Sequence, residues 1–266
     1  MDLRGFIKLL DEKGLLTRIR RPVDTRYEIS TLIRLRNDRP LLFENVRGFS
    51  MPVVANLCST RELVALGLGI KPNQIISKLA WAIDHPQEPM VVKAEGYREV
   101  PPDLTQFPIL LHYPFDGGPY LSSAVVIASD PELGLNASYH RMMVAGKDRV
   151  VVRILPRDFD AFLKRGNREF AICVGNPVPV LVAAAVSVEL GKSELSIANA
   201  LDEINLVELG GHKVPEAEIV MIAEMTGEEQ DEGPFVDLTE IPDIVRKQPV
   251  AKIKRVFVRE GAVYQA

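Results

Sequence analysis

Four prolines between residues 101 and 114 constrain the fold of this 266-residue chain more than any other feature. Proline fixes φ and removes a backbone donor, so no regular helix can run through Pro101, Pro102, Pro108 and Pro114. The patterning differs on the two sides of them. On the N-terminal side, Leu3, Phe6, Ile7 and Leu10 recur at helical spacing between Asp2 and Gly14. This predicts an amphipathic helix over 2–13 whose apolar stripe needs a sheet to cover it. Residues 16–20, 41–44 and 52–56 read as short strands, and 27–36 and 61–68 as helices. Beyond the prolines strand patterns dominate, at 121–129, 137–144, 149–155, 170–174, 219–223 and 253–258, with a hairpin turn at 145–148. Residues 196–201 read as helical, and the apolar run 180–190 fits helix or strand equally well. A last strand begins at Ala262 and stops at Ala266, as if in mid-fold. The expected class is α+β, with a small α/β domain over 1–100 followed by a β-rich barrel or split barrel with a few helices over 101–266.

Composition narrows the function classes. With 47% hydrophobic and 26% charged residues the chain has the make-up of a folded globular protein. A formal charge of −4 without a block of like charges gives no general attraction to nucleic acid or anionic membrane. The N-terminus lacks the continuous apolar region of a signal peptide. The most apolar run, 178–188, falls well short of the roughly 20 residues that cross a bilayer, so no membrane partner is expected. Cys58 and Cys173 have no disulfide or zinc spacing, which suits a reducing cytoplasm.

Three groups of residues could carry chemistry. On a strand over 137–144, Tyr139 and Arg141 would share one face, and Ser138 and His140 the other. An inward Arg141 needs a carboxylate or phosphate partner, because an unpaired buried guanidinium is costly; an outward one needs nothing, and spacing leaves both open. Glu232 and Asp237 bracket the rigid Gly233-Pro234 step, where two acids at different burial can separate proton donation from positioning. A solvated acidic loop is the plain alternative, although Phe235 between the acids speaks against it. Glu194 can be explained as a first-turn helix residue, yet with Asn136 and Asp158 it makes an all-oxygen set suited to Mg2+ or Mn2+. Gly117-Gly118 marks a tight turn or a close approach to a ligand. His85, His112 and His212 have no metal-ligand spacing. The absence of GxGxxG, Walker A and GxSxG patterns argues against a dinucleotide-binding dehydrogenase, a P-loop NTPase and an α/β-hydrolase.

The stretches DLRGFIKLLDEKGLLTRI, LLFENVRG, PFDGGPYL, DPELGLNASYHRMMV, PEAEIV and EGPFVD, taken in order, resemble the UbiD-type decarboxylases. That resemblance implies a flavin-reductase-like split barrel beside an N-terminal α/β domain. It also implies a reversible decarboxylation of an α,β-unsaturated or aromatic acid on prenylated FMN. Carried over by position, Arg141 would hold the substrate carboxylate, Glu232 would orient Arg141, and Asp237 would protonate the carbon that loses CO2. The cofactor would contact Asn136, Tyr139, His140, Arg141, Arg153, Ile154, Leu155 and Arg157. Its phosphate would be bridged by Mn2+ or Mg2+ on Asn136, Glu194 and Asp158, the last standing after Arg157 where the family often has His. K+ is a further implied cation. The implied partners are a small carboxylic acid, an FMN prenyltransferase as cofactor supplier, and either further copies of the chain or a separate C-terminal chain, since family members usually continue into a C-terminal domain. EGPFVD is similar to a branch that includes a decarboxylase of a phosphorylated, mevalonate-derived acid. The alternatives are a cofactor-binding subunit that is inactive without a partner chain, and a plain FMN-binding split-barrel oxidoreductase.

Overall fold

The computed structural model describes residues 1–237 and 239–266. The first helix, Leu3–Glu12, starts where the Asp2 carboxylate accepts the Gly5 N–H at 2.9 Å, and it buries Leu3, Phe6 and Leu10. An aspartate cap of this kind contributes about 1 kcal/mol by satisfying one of the helix's free N–H groups. Thr17–Ile19, Leu41–Phe43 and Val53–Ala55 form a small sheet, flanked by the expected helices Glu28–Leu35 and Arg61–Gly67. The last strand, Tyr264–Gln265, returns to this sheet and runs parallel to Val53 and Val54, with Tyr264 buried. The two ends of the chain thus share one sheet. A further helix, Ile75–Asp84, follows a 3-10 turn opened by Pro72. The proline-rich segment holds only the 3-10 turn Leu104–Gln106.

A nine-stranded antiparallel sheet forms the body of the molecule. Its order is Tyr120–Leu121, Met142–Val144, Arg149–Val152, Arg246–Arg259, Ile219–Glu232, Glu169–Val174, Val125–Asp130 and Gly134–Tyr139, and Tyr97–Val100 pairs with Arg246–Arg259 from the side. Alternate residues of the central strands feed two cores. Val125, Ile127, Ala171 and Cys173 face the helices Leu3–Glu12, Val178–Ala183 and Glu194–Leu201. Val126, Ala128, Phe170 and Ile172 face Leu104, Phe107, Phe159 and Phe162. Burial on both faces explains why these strands read as unbroken apolar runs. The ambiguous stretch at 180–190 is mainly the end of the helix Val178–Ala183 followed by irregular chain. Two strands exceed their expected length, because Ile219–Glu232 and Arg246–Arg259 each continue for 14 residues through bulges into polar sequence.

One expected strand is in fact two. Gly134–Tyr139 pairs with Val125–Asp130, whereas Met142–Val144 pairs with Arg149–Val152, and His140 and Arg141 lie between them outside any strand. These two strands stand near opposite ends of the sheet order. Three residue steps span at most about 11 Å, so the sheet must curl until its ends approach each other. Among the described residues the end strands do not hydrogen-bond to one another, and the sheet stays open. Among the described residues no helix is long and apolar enough to cross a membrane.

Candidate active site

The break at His140 and Arg141 lies on the seam where the sheet ends meet, and a cavity of about 540 Å³ opens there. Asn136, Ser138, Tyr139, His140 and Arg141 line it from the seam; Arg153, Leu155, Arg157 and Asp158 line it from the chain after Arg149–Val152. Ser122, Phe159, residues 184–188, Glu194, Phe235 and Asp237 complete the wall. Most of the residues singled out in the sequence therefore reach one cavity. Ile154 lies between two lining residues but packs against the core, and its N–H donates to Gln248 Oε1 at 3.1 Å. Glu232 stands behind the wall, fully buried.

Arg141 and Glu232 form a two-point pair: Arg141 Nε donates to Oε1 at 3.0 Å and Nη2 to Oε2 at 2.9 Å. The Tyr120 hydroxyl donates to the same Oε1 at 2.9 Å. Such charge-assisted, two-point bonds fix the guanidinium plane as well as its position. Phe235, the aromatic between the two acids, lies 4.7 Å from the Arg141 guanidinium carbon and meets Tyr120 edge-on. Burial works against the Arg141 charge, but Glu232 and Asp243 outweigh it and raise its pKa. Burial, reinforced by Glu232, likewise raises that of Tyr120. Asp237 lines the cavity on the exposed side of this group.

The PFDGGPYL segment holds the acid-bearing loop in place. Asp116 accepts the N–H of Val236 at 3.1 Å and of Tyr113 at 3.0 Å, and Gly117 donates its N–H to the Pro234 carbonyl at 2.8 Å. A Cβ at Gly117 would stand 2.2 Å from the Gly233 oxygen. Gly117 therefore marks a close approach of backbone to backbone, whereas a Cβ at Gly118 would meet its neighbours no nearer than 3.6 Å.

At the other end of the cavity Glu194 is buried and accepts from Asn136 Nδ2 at 3.1 Å and from the Ala137 N–H at 2.9 Å. Burial, with Asp158 nearby, raises its pKa to about 7. Ser138 and His140 do share a side: Ser138 Oγ lies 3.0 Å from His140 Nε2 and 3.1 Å from Asn136 Oδ1, and His140 Nδ1 faces the Arg153 carbonyl at 3.1 Å. Burial lowers the His140 pKa and favours the neutral ring. Asn136 Oδ1 accepts from the Ser138 hydroxyl and stands beside the buried Glu194 carboxylate. Among the described residues no cluster of three His, Cys, Asp or Glu side chains could hold a metal. The set Asn136, Asp158 and Glu194 has two acids and an amide. Its amide oxygen and two carboxylates are the donor set of a hard, oxygen-seeking cation.

Asp243 and Tyr120 belong to this site, and neither was singled out in the sequence. Tyr120 lies within the PFDGGPYL segment, which is the one signal that could have pointed to it. Asp243 lies 102 residues from Arg141 and accepts from its Nη2 at 2.8 Å; no local pattern marks it.

Comparison with known proteins agrees along the whole chain. Residues 7–83 match the family model for the 3-octaprenyl-4-hydroxybenzoate carboxy-lyase N-terminal domain, and 85–266 match that for the 3-octaprenyl-4-hydroxybenzoate carboxy-lyase Rift-related domain. An anhydromevalonate phosphate decarboxylase of Methanothermobacter thermautotrophicus is 36% identical over 99% of this chain, which spans 65% of that protein's length. The structure of an evolved dimeric form of the UbiD-class enzyme HmfF from Pelotomaculum thermopropionicum, in complex with prFMN, superposes with a TM-score of 0.94 at 34% identity, covering 100% of this chain and 67% of the other. Vanillic acid decarboxylase of Sedimentibacter hydroxybenzoicus in its closed form gives 0.92 at 26% identity, covering 99% and 63%. On these matches, and on the seam and cavity described above, the chain belongs to the UbiD family.

Proposed function

We propose that this chain binds prenylated FMN in the seam cavity and carries the catalytic centre of a reversible, non-oxidative carboxy-lyase. Its substrate is an α,β-unsaturated or aromatic carboxylic acid. The observation that carries the reading is the two-point Arg141–Glu232 pair at the cavity wall, with Asp237 on the same wall. Arg141 grips the substrate carboxylate, and Glu232, whose two oxygens are committed to Arg141 and Tyr120, holds the guanidinium in place rather than exchanging protons. Asp237 delivers the proton to the carbon that CO2 leaves. Bound prenylated FMN supplies the sink for the electron pair left on that carbon. Arg153 and Arg157 line the cavity with Asn136, Asp158 and Glu194, and these cationic and oxygen-donor groups would hold the cofactor phosphate and an Mn2+ or Mg2+ ion. K+ is a further cation of the same reading.

The same reading treats residues 1–100 as the N-terminal domain and 101–266 as a flavin-reductase-like split barrel; the curl of the nine-stranded sheet supports the barrel, while Tyr97–Val100 joins that sheet and Tyr264–Gln265 joins the N-terminal one. It takes an FMN prenyltransferase as the cofactor's supplier, further copies of the chain or a separate C-terminal chain as partners, and the cytoplasm as the site of action. Because several relatives are named anhydromevalonate phosphate decarboxylase, we place a small phosphorylated aliphatic acid first among substrates. The test is expression of the chain with and without an FMN prenyltransferase, followed by mass spectrometry and metal analysis of the purified protein. Retention of prenylated FMN with about one equivalent of divalent metal supports the reading, and protein that leaves co-expression with no flavin opposes it.

A further inference from the structure

Arg141 has five N–H donors in a planar fork. Glu232 takes Nε and one position on Nη2, which leaves the end-on edge, Nη1 with Nη2, as the two-point edge for another carboxylate. Asp243 already occupies half of that edge, accepting from Nη2 at 2.8 Å. Its surroundings differ from those of Glu232. Glu232 is fully buried, whereas the Asp243 side chain is 27% exposed and also accepts from Arg246 Nη1 at 2.5 Å and from the Ile244 N–H at 2.8 Å. If Asp243 lets go of Arg141, it keeps a cation and a backbone donor. No buried charge is stranded, so the exchange avoids the penalty that makes breaking most buried pairs costly.

We propose that Asp243 is an internal carboxylate that holds the substrate edge of Arg141 and gives it up to the incoming substrate carboxylate, with Arg246 receiving Asp243 when it is displaced. The inference rests on the reading of Arg141 as the carboxylate site and adds a competitor to it. Asp243 is a positioning residue: it keeps Arg141 paired and its edge aligned between turnovers, and it sets how strongly an acid must bind to enter. Arg246 tunes the exchange, because the more firmly it holds Asp243, the less Asp243 claims Arg141.

The test is a ligand-observed NMR titration of the purified chain with benzoate, a plain carboxylate probe, at constant ionic strength. Asp243→Asn and Asp243→Ala remove the competing charge, and each should tighten benzoate binding roughly tenfold, the scale of one charge-assisted hydrogen bond. Arg246→Ala should weaken binding several-fold, since Asp243 then depends on Arg141 for its cation. Glu240→Gln removes a charge close in sequence whose carboxylate pairs with Arg34 instead, and it should leave binding within twofold of wild type. These opposite signs distinguish an exchange from a structural role, which would weaken binding in every variant. Unchanged or weaker binding in both Asp243 variants overturns the proposal, as does tighter binding in Arg246→Ala. Equal tightening in Glu240→Gln also overturns it, by reducing the effect to long-range charge. If Arg141→Ala binds benzoate as wild type does, the assignment of Arg141 as the carboxylate site fails and the proposal falls with it; loss of binding there with unmoved Asp243 variants sinks the exchange alone.

Discussion

Glu194 offers a quantitative test of the oxygen-rich end of the cavity. Its pKa rises from an ordinary 4.5 to about 7, because burial penalises the charged form more than Ala137 and Asn136 favour it. A carboxyl that holds its proton more tightly when folded stabilises the fold fully below the unfolded value, and that contribution is lost as pH rises through the folded value. Two and a half pH units at about 1.4 kcal/mol each amount to about 3 kcal/mol, lost between roughly pH 4.5 and 7 when no cation is present. For a chain of this size that corresponds to about 6–12 °C in Tm. The assay is thermal unfolding in EDTA from pH 4.5 to 8 for wild type and Glu194→Gln, taking the difference between the curves so that other titrating groups cancel. Wild type should lose stability relative to the variant across this window. Mn2+ should restore it above pH 7, where it pairs with the ionised carboxylate, and do little at pH 4.5. Parallel curves, or a Mn2+ effect equal in the variant, would refute the reasoning.

Two further perturbations probe the framework around the site. Glu218 is fully buried and accepts from Arg4 at 2.8 and 2.9 Å and from the Val263 N–H at 3.0 Å, with Arg259 at 3.6 Å. Arg4→Met should cost about 2–3 kcal/mol in urea denaturation, less than the usual loss for a broken buried pair because Arg259 remains, and Arg4→Met/Glu218→Leu should recover most of it. Equal stability of the single variant and wild type would show that the pair does not join the first helix to the end of the chain. Gly117→Ala drives a methyl against the Gly233 oxygen and should cost about 1–3 kcal/mol. It should also weaken benzoate binding, by shifting the loop that carries Glu232 and Asp237; unchanged melting and binding would mean the contact relaxes freely.

Local pattern made the regular elements legible. Leu3, Phe6 and Leu10 mark the first helix through spacing that any amphipathic helix must have, and the central strands are marked by apolar runs buried on both faces. The break at His140 and Arg141 was not legible, because the alternation that supports a strand continues across it; only the separate partners of Gly134–Tyr139 and Met142–Val144 reveal two strands. The long extensions of Ile219–Glu232 and Arg246–Arg259 were missed for a related reason, since their polar halves gain stability from pairing with each other and not from burial. Within the site, Arg141, Glu232 and Asp237 were candidates on residue chemistry, which left Arg141 undecided between an inward and an outward position; only the family resemblance implied their separate roles. Asp243 had no such motif, and its role depends on a contact that only the folded chain creates.

The central claim is that Arg141 and Asp237 perform successive parts of one decarboxylation, the first gripping the carboxylate and the second supplying the proton. It is tested most directly by deuterium incorporation from D2O into the product's vinylic or aryl C–H, measured for wild type, Asp237→Asn and Arg141→Ala, each loaded with prenylated FMN. Asp237→Asn should slow incorporation by about 10²- to 10⁴-fold, the usual cost of losing a general acid, while substrate still binds. Arg141→Ala should fail earlier, with binding of the acid lost as well. Incorporation by Asp237→Asn at the wild-type rate would contradict the account and move the proton donor to another residue.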